Sequence, residues 1–259
     1  METEAGFSFA ERTNESVIKT GFGAASCITN CHNPVRVAAD IATKNSEGVD
    51  SNGRVPPILL TGTAADRLVI SSGMKDLEQK VSKRAKRTFD KYSEMISTEP
   101  DTKRIKPSSD TVGGVVAHIN KNRSFLASAS SSGGLLLKKD GRVGSAATVG
   151  AGFYCNRNGL FPFIFIQSKS ESWKTIKSNF AATCSGTGEQ IILHGSARLA
   201  CRLGFECIDD LMNDFVSEES IQNDTTKSLG IVRLEKRTDS LLVSFAHTTP
   251  GMNIGKVTT

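Results

Sequence analysis

The stretch Asp110-Thr111-Val112-Gly113-Gly114-Val115-Val116-Ala117 decides how this chain is read. An Asp-Thr bond stands where a charged, turn-rich segment gives way to an apolar, β-branched run. A threonine hydroxyl is a poor nucleophile, because its proton leaves far above neutral pH. A threonine made N-terminal by cleavage carries its own α-amine beside that hydroxyl. With a pKa of about 8, the amine can take the proton near neutrality. The stretch therefore reads as the junction of a chain that cuts itself between Asp110 and Thr111 to expose a nucleophile. Taken alone, Thr111 is better read as the opening residue of a buried strand, since short motifs match often by chance.

The residues downstream shift that balance. Ser130-Ser131-Ser132-Gly133-Gly134 is followed by Lys138, Gly141-Arg142-Val143-Gly144 and Gly150-Ala151-Gly152. Then come Ser185-Gly186-Thr187-Gly188-Glu189 and His247-Thr248-Thr249, with Met252 close behind. Upstream stand Asn33-Pro34-Val35 and Arg54-Val55-Pro56-Pro57. On this ordered set the chain resembles the N-terminal-nucleophile hydrolases of the plant-type asparaginase group, and among them most the threonine aspartases (taspases). The resemblance covers roughly residues 17–70 and 110–255.

It implies an α+β fold, the four-layer α-β-β-α sandwich of the N-terminal-nucleophile hydrolases. It also implies an N-terminal (alpha) subunit, 1–110, ending in a basic flexible loop at 75–110, and a C-terminal (beta) subunit, 111–259. The two make one domain and remain together after self-cleavage as an alpha/beta heterodimer, and the resemblance further implies a dimer of such units. Members of the group begin with a strand ending in a His-Gly/Ala-Gly-Ala-Gly turn, then two helices. Residues 1–17 hold only a compressed echo of that part, around Thr3-Glu4-Ala5-Gly6-Phe7. The first strand and helices are therefore expected to be lacking.

The resemblance also assigns roles at the site. The Thr111 hydroxyl first attacks the Asp110 carbonyl, and the resulting ester hydrolyses. The freed Thr111 then attacks a substrate carbonyl with its own amine as base, giving an acyl-enzyme that water resolves. Negative charge on the carbonyl oxygen needs preorganised donors, here the Thr187 hydroxyl and the Gly188 N–H at the start of a helix. Ser132 is the second hydroxyl near the nucleophile. Arg142 holds a substrate carboxylate through two parallel hydrogen bonds. Read without the resemblance, Thr187 is an ordinary N-cap, Arg142 a surface ion pair and Ser132 any serine of a Gly-rich turn.

Ser145 bears on specificity. The asparaginases carry a carboxylate there for the substrate's α-ammonium, and this chain has a neutral serine. That departure favours a threonine endopeptidase whose partners are protein substrates with an internal Asp. The alternatives are an asparaginase or β-aspartyl peptidase, or an inactive truncated relative acting as a binding protein.

At 259 residues and 38% hydrophobic content the chain can bury one substantial core. It has no apolar run of about 18 residues, and its start lacks the basic and apolar regions of a signal peptide, so no membrane partner is expected. Cys27, Cys31, Cys155, Cys184, Cys201 and Cys207 form no recurring pairs, and Cys27/Cys31-His32 has no second half. No metal or other cofactor is expected, and the thiols are read as reduced. Lys75–Lys106 carries ten Lys/Arg against six Asp/Glu, in a chain whose net charge is +5. The runs at 83–87 and 103–107 are read as contacts for a nuclear import receptor, which places the protein in nucleus and cytoplasm; a solvated linker is the alternative. Only Phe89 and Tyr92 interleave with these charges, so no nucleic-acid partner is expected.

For local structure, Ile18–Ser26 reads as a strand and Pro34–Ala42 as a helix with proline at its first position. Ile58–Leu60 reads as a short buried strand and Ala64–Ser71 as a helix. Residues 75–109 read as a loop with transient helix near 77–89. Val112–Ile119 and Phe125–Ser130 read as strands joined by Asn120-Lys121-Asn122, with further strands at 150–155 and 181–185. One amphipathic helix is expected from Gly188 to Leu203, stopped by Gly204, and another over 208–215. Leu229–Leu234 and Leu241–Phe245 close the chain as strands. Leu160–Ile166, with its polar tail to Ser178, is an insertion whose role the sequence leaves open.

Overall fold

Thr3–Thr13 is an eleven-residue strand, β1, at the centre of a five-stranded sheet. The computed structural model describes residues 2–13, 18–29, 31–74, 82–98, 111–156, 179–202, 208–217, 227–237 and 240–257. β1 lies between β2 (Ile18–Ile28) and β5 (Arg123–Ser132). The edges are β3 (Leu59–Thr61) and β4 (Val112–Ile119), in the order β3-β2-β1-β5-β4. Only β2–β3 is parallel. A second, antiparallel sheet follows chain order: β6 (Phe153–Asn156), β7 (Asn179–Gly186), β8 (Leu229–Lys236) and β9 (Leu241–His247).

The sheets pack face to face. Ala10, Leu126, Cys155, Ala181 and Leu234 fill the space between them, with Val115 and Ala117 of β4 alongside. Alternation sends Ala127 to the opposite face, where it meets Phe9 and Ala42. There α1 (Pro34–Glu47) and α2 (Thr63–Ser71) bury Val37, Ile41, Ala65 and Val69 against Ala25 and Ile28. α1 starts as its sequence demands: proline opens it and the Asn33 side chain accepts the Arg36 N–H. The outer face of the second sheet carries α4 (Gly188–His194), α5 (Ser196–Ala200) and α6 (Ile208–Ser217), joined by a core that includes Ile191, Leu211, Phe215, Leu229 and Ile231. Helix, sheet, sheet and helix make the expected α-β-β-α sandwich.

Several local expectations need correction. Residues 3–13, read only as a compressed echo of the group's first segment, form a full strand, because β1 fills the middle of a sheet. Gly6 makes that possible: a Cβ there would fall 1.8 Å from the Phe153 ring of the facing sheet. β3 is an edge strand, with Leu59 and Thr61 exposed, and not a buried one. The expected loop contains α3 (Lys83–Thr98), whose N-terminus is capped where Ser82 Oγ accepts the Ala85 N–H. The helix expected over 188–203 breaks at Gly195, which adopts φ 66° and ends α4. Leu203, Gly204, Cys207 and the 160–178 insertion lie outside the described residues, as does 103–107.

Candidate active site

Thr111 stands one residue before β4. Val112 pairs with Ser131, so the antiparallel count sets Thr111 level with Ser132. Ser185, near the end of β7, donates its hydroxyl to the Thr111 carbonyl at 3.5 Å. Behind it, β4 and β7 approach so closely that a Cβ on Gly113 would fall 2.2 Å from Thr183 Oγ1. Glycine at 113 thus seats the candidate nucleophile strand on the opposite sheet. Asp110 lies outside the described residues.

Thr187 follows directly from β7. Gly186 turns the chain at φ 149°, where a Cβ would meet the Ser228 carbonyl at 1.9 Å. The Thr187 N–H donates to Ser228 O at 2.8 Å, and the Ser228 N–H donates to Thr187 Oγ1 at 3.0 Å. The Thr187 side chain makes no cap bond to α4, so the ordinary N-cap reading does not hold. Its hydroxyl is instead engaged with the head of β8. Gly188 begins a helix of only seven residues, much shorter than expected.

Arg142 reaches the same place from the loop after β5. Its Nε and Nη2 donate to Glu189 Oε1 at 2.8 and 2.6 Å. A Cβ on Gly188 would stand 3.0 Å from Arg142 Nη2 and 3.7 Å from Ser145 Oγ. Arg142, Ser145, Gly188 and Glu189 therefore form one cluster. Ser145 is buried at the start of a 3-10 turn, Ser145–Ala147, tied back by Ala147 N–H to Gly144 O. Ser132 Oγ accepts the Gly134 N–H at 3.0 Å and tightens the glycine turn beside Thr111.

The loop carrying Arg142 is held by a residue that sequence reading passed over. Glu4, buried near the start of β1 and paired with Ser132, accepts the Gly144 N–H at 2.8 Å and the Ser26 hydroxyl at 3.2 Å. At its other end, Lys138 Nζ donates to the Arg142 carbonyl at 3.2 Å and pairs with Glu2. Desolvation pulls the Lys138 ammonium down, but the Glu2 hydrogen bond and neighbouring anionic groups outweigh it and leave the pKa raised. The Lys138 hydrogen bond in turn holds the Glu2 carboxyl below the usual glutamate value. Cys27, 3.6 Å from Lys138 Nζ, is held at φ 54°, a costly conformation for a residue with a Cβ. Glu189 was visible only as the last residue of a glycine motif. Glu4 was visible only as part of the Thr3–Phe7 stretch, because its burial and its bond to Gly144 arise only on folding.

A second constellation has no access to substrate. His194 Nδ1 lies 2.8 Å from Ser196 Oγ and Nε2 3.3 Å from Asp214, but Ser196 is fully buried. It ties α4, α5 and α6 together. Burial pushes the thiols of Cys184 and Cys201 well up, which suits inert core cysteines. Among the described residues no group of three His, Cys, Asp or Glu could hold a metal ion, and no helix is long and apolar enough to cross a membrane.

Comparison with known proteins bears on this arrangement. The sequence profile described as Asparaginase matches residues 18–160. The chain is similar to the isoaspartyl peptidase of Escherichia coli (strain K12), 26% identical over 180 residues, which is 66% of this chain and 44% of that protein. It is also similar to the isoaspartyl peptidase/L-asparaginase of Mus musculus, 30% identical over 138 residues, 52% of this chain and 38% of that protein. The rat protein of the same description matches at 30% identity over 138 residues. The chain thus spans less than half the length of these relatives.

Proposed function

The chain belongs to the asparaginase family of hydrolases, and from that premise we propose that it is a threonine-type amidohydrolase that opens β-aspartyl amide bonds, as in isoaspartyl peptides or asparagine. The observation that carries the reading is the placement of Thr111. It heads β4 beside Ser185, two residues before Thr187-Gly188, so nucleophile and oxyanion donors stem from one end of the sandwich. Relatives described as isoaspartyl peptidases support this substrate class over the cleavage of proteins after aspartate.

In this reading the N-terminal amine of Thr111 takes the proton from its own hydroxyl as oxygen attacks the substrate amide carbon. The Gly188 N–H and the Thr187 hydroxyl receive the developing oxyanion, for which Thr187 must turn its proton away from Ser228. Arg142 holds the substrate carboxylate, the Thr111 ammonium returns its proton to the departing amine as the C–N bond breaks, and water then releases the aspartyl group from Thr111. The endopeptidase reading keeps one specific support, the neutral Ser145 beside Arg142.

The test compares a β-aspartyl dipeptide with a peptide containing an internal Asp-Gly, using chain cleaved before Thr111. Faster turnover of the dipeptide is expected. Arg142→Ala should lower it by about 30- to 1000-fold, the loss of about 2–4 kcal/mol of transition-state stabilisation. Faster cleavage of the internal Asp-Gly bond would replace this reading with the endopeptidase one.

A further inference from the structure

Cys27 does not follow the regular course of the strand it belongs to. Thr3 pairs with Ile28 and Ala5 with Ala25, so Ser26 and Cys27 of β2 together face the single residue Glu4 of β1. Such a bulge re-aims side chains. Neighbours on a regular strand point to opposite faces, but here Ser26 Oγ and Cys27 Sγ lie 3.7 Å apart. The thiol is thereby turned to the loop after β5. There Lys138 Nζ stands 3.6 Å from Sγ and also donates to the Arg142 carbonyl at 3.2 Å. The Glu2 carboxylate completes the group, hydrogen-bonded by both Lys138 and Cys27.

The proposed mechanism makes no use of this thiol. A cationic neighbour favours the thiolate, the form that oxidants attack. We propose that Cys27 and Lys138 are the two ends of an oxidative cross-link, a nitrogen–oxygen–sulfur bridge formed with dioxygen as the oxidant. The thiol S–H and one amine N–H bond break, and an S–O and an O–N bond form. Sulfur and nitrogen each give up two electrons, and dioxygen takes all four. One of its oxygen atoms stays in the bridge, and the other leaves as water with the two hydrogens. The extra proton of the ammonium passes by way of the Glu2 carboxylate to solvent. Cys27 itself is buried, but the side chains over it are open enough for so small an oxidant, Glu2 being 30% exposed and Lys138 11%.

The link forms whichever amide the protein opens, and it bears on the site through Arg142. A bridged nitrogen carries no charge, so Glu2 loses its ion pair and the Arg142 carbonyl loses a charged donor. Cys27 precedes the Asp110–Thr111 junction and Lys138 follows it. In a chain cut at that junction the bridge would therefore tie the two pieces together covalently.

Peptide mapping tests this directly. Purified full chain is reduced and then divided between air-saturated and oxygen-free buffer. Both halves are digested without reductant and analysed by mass spectrometry. The air-exposed half should yield a new species, the Cys27 peptide joined to the Lys138 peptide and heavier than their sum by one oxygen less two hydrogens. Dithiothreitol should sever it by attack at the S–O bond and return the Cys27 peptide to its original mass. Lys138→Arg keeps the positive charge beside Glu2 and should lose the species entirely, as should Cys27→Ser. Cys27 carrying oxygen with Lys138 unchanged would overturn the proposal, as would a linked species that survives dithiothreitol. So would Lys138 joined to a different cysteine, or identical maps from the two halves.

Discussion

Glu4 Oε2 accepts the Gly144 N–H at 2.8 Å across 140 residues of chain, and that bond fixes the loop that presents Arg142. The same carboxylate takes the Ser26 hydroxyl, so one buried acid joins β1, β2 and the Arg142 loop. Glu4→Ala leaves two buried donors without their acceptor and should destabilise the fold by about 2–4 kcal/mol in urea unfolding. Gly144→Ala acts from the other side. Its Cβ would fall 2.1 Å from Glu4 Oε1 and 3.1 Å from Arg142 Nη1, so hydrolysis should fall even where the fold survives. Unaltered turnover in Gly144→Ala would show that the loop tolerates displacement.

Self-cleavage is expected to yield fragments 1–110 and 111–259. Thr111→Ala removes the attacking hydroxyl and should leave one species of 27.7 kDa after prolonged incubation. Intact-mass measurement on both proteins decides it. A chain that stays whole with Thr111 in place would remove the free α-amine from the mechanism.

The Glu2–Lys138 pair predicts a defined pH response. Glu2 lies below its ordinary value of 4.5, so its contribution is complete above that value and is lost as pH falls through the lower folded one. Lys138 lies above its ordinary value of 10.5, so its contribution is complete below 10.5 and is lost as pH rises through the folded value. Both side chains remain partly accessible, which limits the pair to about 0.5–1 kcal/mol. Glu2→Gln should lower Tm slightly and evenly between about pH 5 and 10, with the difference closing below pH 4.5. A Tm difference that persists into acid would assign the effect to packing.

The basic run Lys83-Arg84-Ala85-Lys86-Arg87 occupies the N-terminal turns of α3, where positive charge opposes the helix dipole. Helix stability therefore does not account for it, which supports the proposal that it contacts an import receptor. A reporter fused to residues 75–110 should concentrate in the nucleus, and substituting the four basic residues with glutamine should disperse it. Equal distribution of both reporters would leave the run a solvated face.

Legibility from sequence followed burial. β4 and β5 were readable because a β-branched run ends in an Asn-rich turn, in which Asn120 Oδ1 accepts the Asn122 and Arg123 N–H groups. β1 was not readable, because both its faces are covered and its small residues, Ala5, Gly6, Ser8 and Ala10, lie under larger neighbours. Neither alternation nor bulk marks such a strand. The break at Gly195 was hidden by a helical spacing that continues across it into α5. At the site, Thr111, Arg142 and Gly188 were named from motifs. Glu189 and Glu4 act through contacts made only by folding, one 47 and the other 140 residues from its partner.

The central position of β1 has a consequence for a chain severed before Thr111. Ten positions of β1, Glu4 to Thr13, pair with β5 on the far side of that junction. The two products would share an unbroken ladder of main-chain hydrogen bonds and could not part without melting the sheet. Their separation would thus be an unfolding reaction. Return from the separated pieces would depend on protein concentration, because two chains would have to meet before β1 and β5 could pair. A cut made once would turn the meeting of β1 and β5 from an event within one chain into one between two, which dilution opposes.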